Sequence, residues 1–133
     1  MLELALSLPL LLLFFFGVAD LGRLFYTSIT LVGAATAGAQ YGVAGTAHNN
    51  DYAGMQQAAL NDAVNLTGVT ATAVQFCECL DGTSVSCSSG TCSSSSPPKY
   101  VKVTTQATFR TWFSYPAIPS SVPLSGVSVE RAQ

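Results

Sequence analysis

The sequence predicts an α+β chain in which a long N-terminal hydrophobic α-helix projects from a small head, itself a short helix and a three- to four-stranded antiparallel sheet. Three observations carry this reading. Two uncharged runs dominate the first 47 residues, a helical pattern restarts after His48, and from Val69 onward the apolar period falls to two. Residues 1–47 are assigned to the helix and residues 48–133 to the head, with a disulfide-stapled loop at 77–92.

The helix comes first. Between Glu3 and Asp20 lie sixteen residues without a charge, and Leu24–Ala47 adds twenty-four more. Read as one helix, Leu2–Ala47 spans ~70 Å at ~1.5 Å per residue, bent at Pro9 and loosened near Gly17 and Gly22. A small head cannot cover such a rod, so a bilayer or neighbouring helices must do so. Gly17-Val18-Ala19 would suit cleavage of a secretory signal, but Glu3 stands where a signal carries positive charge, so the segment is read as retained. A carboxylate at hydrocarbon depth costs roughly 2.5–3.5 kcal/mol, so Glu3 requires a partner.

Small side chains mark the second half. Thr30, Ala34, Gly38, Gly42 and Thr46 recur every four residues, with Ala35, Ala39, Val43 and Ala47 beside them. Such a stripe lets two backbones approach closely. Either a neighbouring helix or the chain's own sheet can fill it. Asp20 and Arg23, three apart, can pair within the helix or bridge adjacent helices.

In the head, Asp51 is the expected N-cap of a helix carrying Tyr52, Met55, Ala59 and Ala63 and ending near Asn65–Gly68. In Tyr100–Phe113, Val101, Val103, Ala107, Phe109 and Phe113 alternate with Lys102, Thr104, Gln106, Thr108 and Arg110, a half-buried strand. Val69–Leu80 is a second strand. A short last one begins at Val127–Glu130, beyond the loop of Pro116, Pro119 and Pro123. Trp112, Phe113 and Tyr115 read as strand-end core.

Cys77, Cys79, Cys87 and Cys92 do not have the spacing of a zinc knuckle, and the only histidine, His48, is remote. Disulfides suit an exported domain with a small core. Cys77–Cys79 is geometrically poor, and the nested pairing Cys77–Cys92 with Cys79–Cys87 is expected over the crossed one.

Composition excludes several functions. Charged residues are 9% of the chain, against about 25% in an average soluble domain. Five basic and seven acidic residues form no basic stripe for nucleic acid and no polybasic run for anionic lipid. No paired carboxylates, nucleophile–base constellation or phosphate loop stands out, so neither catalysis nor a cofactor or metal is expected.

The stretch from Glu3 through Pro9, Phe14-Phe15-Phe16-Gly17 and Asp20 to Arg23 resembles the N-terminal signature of TadE-like proteins, the pilin-like subunits of tight-adherence (Tad) pili. Gln40-Tyr41-Gly42, Tyr100-Val-Lys-Val, the Tyr115-Pro116 to Pro119 loop and the stretch Leu124–Arg131 extend the likeness. Type IV pilin-like proteins usually carry their glutamate at the fifth mature position, whereas here two residues precede Glu3. The resemblance implies a pilin-like fold and a structural subunit of an extracellular pilus, membrane-anchored before a separate machinery assembles it into a helical homopolymer. Glu3 would pair with a neighbour's N-terminal amine, and Pro9, Phe14, Phe15, Asp20, Arg23, Ala34, Gly38 and Gly42 would line the subunit interface. Two alternatives are a minor pilin-like protein that primes or caps assembly alongside other pilin-like subunits, and a monomeric binding domain on a membrane stalk. Asn65-Leu66-Thr67 matches a glycosylation sequon, and Ser93–Ser96 offers hydroxyls for O-glycans.

Overall fold

The computed structural model describes residues 2–93, 95–112 and 119–132, with side chains from residue 6 onward. Phe113, Tyr115 and Pro116 lie outside the described residues, as does the side chain of Glu3.

Helix α1 runs Leu2–Val43 and is continuous through Pro9. Its end comes four residues earlier than the apolar run suggests, because the chain turns at Gly45, whose carbonyl accepts from His48 N at 2.9 Å. Helix α2 (Tyr52–Asp62) starts where expected. The Asp51 carboxylate accepts from Gly54 N at 2.9 Å, and its other oxygen accepts from the Tyr41 hydroxyl on α1 at 2.9 Å. One side chain thus caps α2 and ties it to α1.

Those bonds favour the ionised form, so the Asp51 carboxyl is held below its ordinary pKa, first by Gly54 N and then by Tyr41. The resulting stability is complete above the ordinary carboxylate range and is lost as pH falls through the lowered value. An Asp51→Ala chain should therefore unfold at lower temperature than the native chain at pH 7, with the gap closing below about pH 4. A gap independent of pH would show that the ionised cap contributes nothing.

Strands β1 (Thr70–Glu78), β2 (Ser84–Val85), β3 (Lys99–Arg110) and β4 (Ser121–Ala132) form one antiparallel sheet in the order β2-β1-β3-β4. Both helices cover one face, α1 over β4 and β3 and α2 over β1. Beneath them lies a core of Ala39, Met55, Ala59, Ala73, Val101, Val103 and Ala132. Along β3 the burial alternates as expected, yet the inward row also includes Thr105, fully buried.

The last strand is longer than expected, twelve residues, and it runs through Pro123. Proline cannot donate to a ladder, and β4 tolerates it because it is an edge strand with a partner on one side only.

Candidate functional site

Residues 6–16 of α1 are exposed on every side of the helix. Leu6, Leu10 and Phe14 are 83%, 72% and 74% exposed, and Pro9 and Phe15 are exposed as well. Among the described residues nothing covers this apolar shaft. Among the described residues α1 is the one helix long and apolar enough to cross a membrane, by length and composition.

The shaft stops at a polar joint. Asp20, 5% exposed, accepts from Arg23 Nη1 at 2.9 Å and from the backbone N–H of Trp112 at 3.2 Å. The Arg23 guanidinium lies 3.9 Å from the Trp112 ring centroid and 5.3 Å from that of Phe109. Of the two readings, a pair within the helix or a bridge at a subunit interface, the structure has the first, and Asp20 also fastens the end of β3 to α1 across 92 residues of sequence.

The small-residue stripe is also used within the chain, which corrects its assignment to a subunit interface. Ala34, Ala35 and Ala39 are fully buried, and Gly38 and Gly42 are buried with them. A Cβ on Gly38 would lie 2.7 Å from the Met55 carbonyl oxygen and 3.1 Å from Val103 Cγ1. One on Gly42 would lie 2.8 Å from Met55 Cε. The four-residue spacing brings backbones together, and the partner is the chain's own α2 and β3.

Sequence reasoning missed two residues that seat α1 on the sheet. Thr105 donates its hydroxyl to the Leu31 carbonyl at 2.7 Å, so the buried polar group is satisfied. Its cross-strand partner Gly126 lies so close to α1 that a Cβ would collide with Leu31 and approach Val32 N to 2.6 Å. A glycine inside an alternating strand is the signal that could have found this approach. On the opposite side of the docked helix, Leu21, Phe25, Ile29 and Val32 remain exposed.

The disulfides are Cys77–Cys87 and Cys79–Cys92, the crossed pairing, in place of the nested one expected. Hairpin register explains it. Cys79 N donates to Thr83 O at 2.8 Å and Cys77 pairs with Val85, so the chain has already turned back past Cys79 before Cys87 is reached. At ~3.4 Å per strand residue, Cys87 is carried away from Cys79 and into reach of Cys77, which is buried. Peptide mapping under non-reducing conditions should recover 77–87 and 79–92 cross-links, and 77–92 with 79–87 would overturn this register. All four thiols are consumed, and the described residues contain no group of three or more potential metal ligands.

A family model described as TadE-like protein matches residues 1–40. This stretch is similar to TadE-like proteins. No curated protein and no solved structure matches the chain. The matched segment comprises the bare shaft, the Asp20–Arg23 joint and most of the docked half of α1. TadE-like proteins are pilus-associated and structural, and an apolar N-terminal helix fits a membrane-anchored or pilus location.

Proposed function

We propose that this chain is a structural subunit of an extracellular Tad or type IV-like pilus, held in the inner membrane by its shaft and then packed by that same shaft into a filament core. The observation that carries this is the shaft: an apolar surface exposed all round, on a helix matched by the TadE-like family. Both destinations remove that surface from water, at about 25 cal/mol per Å². Two disulfides in a small head suit an oxidising compartment outside the cytosol. The inter-subunit contacts are assigned to Pro9, Phe14 and Phe15 on the shaft and to a Glu3 pairing with a neighbour's N-terminal amine. The energy for extraction comes from a separate machinery.

Cryo-electron microscopy of sheared surface filaments tests the reading. Helical density with the head outside and residues 6–19 in the core supports it; filaments built of other chains, with this one scarce at a tip, would make it a minor subunit instead. For Glu3, a Glu3→Ala chain is expected to fold and insert in the membrane but to assemble poorly, since its partner amine would be buried without a counter-charge. Normal filament yield from that variant sinks the pairing.

A further inference from the structure

The lower end of the head, where the shaft leaves it, exposes more aromatic and cationic surface than the joint itself covers. Trp112 is 64% exposed although it stacks on Arg23, and Tyr26 is 56% exposed. Beside them lies a groove of about 540 Å³ between α1, the α2–β1 turn and the end of β3. Arg23 and Arg110, two of the chain's five cations, line it together with Tyr26, Asn65, Thr67 and Thr108, and among the described residues no acid lines it. The sequence shows no polybasic run because the fold assembles this basic groove from residues far apart.

Its height is set by the shaft. The charge-free run ends at Asp20, the first charged residue after sixteen without a charge, and a charged pair at the end of an apolar run lies at the membrane surface rather than in hydrocarbon. Arg23 follows ~4.5 Å higher, within the polar headgroup layer of ~5–8 Å. At that depth an indole sits with its ring in the interface, and a guanidinium meets phosphate with several donors in a fixed fork. Asp20 takes one Arg23 nitrogen, and the Arg23 side chain remains 37% exposed.

We propose that the underside of the head, formed by Arg23, Trp112 and Arg110, docks on the phospholipid headgroups around the shaft, with a headgroup phosphate in the two-arginine groove. This rests on the membrane-anchored stage of the function proposed above. Docking fixes the depth and tilt at which the subunit waits, and extraction must break it.

Trp112 is the only tryptophan, so its fluorescence reports the contact directly. The full chain is placed in phosphatidylcholine vesicles with and without phosphatidylglycerol. Trp112 should be quenched by lipids brominated near the headgroup and shielded from aqueous iodide, more so with phosphatidylglycerol. A Trp112→Phe/Leu12→Trp chain reports shaft insertion separately, through quenching by lipids brominated deep in the acyl chain. If Leu12→Trp is quenched while Trp112 stays open to iodide, docking is overturned and the anchor stands. If neither is quenched, both fail. Trp112 shielded from iodide but untouched by brominated lipid overturns docking in favour of a contact between protein copies. Arg110→Gln, at an exposed strand end, should lower the ratio of docked to undocked heads on phosphatidylglycerol about fivefold. An unchanged ratio removes the groove from the contact.

Discussion

Replacing Gly38 and Gly42 together by leucine is expected to unfold the head while the shaft stays helical and inserted. Each glycine costs the helix about 1 kcal/mol relative to alanine, so a free helix would gain from the change. The docked helix would not. Gly38 faces the Met55 carbonyl, a backbone atom inside α2 that cannot move without shifting the whole helix, and Val103 closes the other side. Overpacking typically costs 1–3 kcal/mol per site, so two sites are expected to cost ~2–6 kcal/mol, comparable to the 5–15 kcal/mol stability of a whole domain. Single alanines should separate the two positions. Gly38→Ala should lower the unfolding midpoint, whereas Gly42→Ala meets chiefly the end of a flexible methionine and should change it little. Near-ultraviolet circular dichroism of the full chain in detergent gives the midpoints. A double-leucine variant with a native head that fails only to polymerise would return the stripe to an interface between subunits.

Gly126→Val should be at least as damaging. Here the obstacle is the α1 backbone itself at Leu31 and Val32, so helix and strand must separate. Separation also breaks the Thr105–Leu31 bond and takes from a buried hydroxyl its shortest hydrogen bond, at ~1–3 kcal/mol, in addition to the packing loss, while the Leu31 carbonyl keeps its bond within α1. Together ~2–6 kcal/mol is expected. Thr105→Val, which removes the hydroxyl but keeps the shape, isolates the hydrogen-bond part and should cost less than Gly126→Val. Equal losses would mean that the hydrogen bond, not the close approach, holds α1 down. Denaturant titration of both variants, followed by Trp112 fluorescence, decides it.

The elements that were legible in the sequence are those set by local chemistry. Charge-free runs define α1, Asp51 announces α2, and alternation from Val101 to Phe109 marks β3. What stayed hidden depends on register between distant segments. A stripe at Ala34, Gly38 and Gly42 states that something packs closely and not what does, because a neighbour's helix and the chain's own α2 ask for the same small side chains. Thr105 reads as polar, and only its place in the β3 register turns it inward. Pro123 argues against a strand until β4 is known to be an edge. The cysteine pairing follows from a turn closed between Cys79 and Thr83, a register that spacing alone does not fix. For the candidate site, the shaft was plain from hydropathy, while the Asp20–Trp112 tether needed the fold.

The seat of α1 on Thr105 and Gly126 has a consequence for the order of events during synthesis. The helix is made first, and the residues that hold it are made 74 and 95 positions after Leu31. Until β3 and β4 emerge, the inner face of α1 has no sheet to rest on, and local pairing of β1 with β2 cannot supply one. The head therefore closes late, by capturing a helix already made. A chain stalled before residue 126 would leave the face of α1 around Leu31 and Val32 open to whatever helix lies beside it, which makes completion of the final strand the step that withdraws this part of α1 from unproductive association.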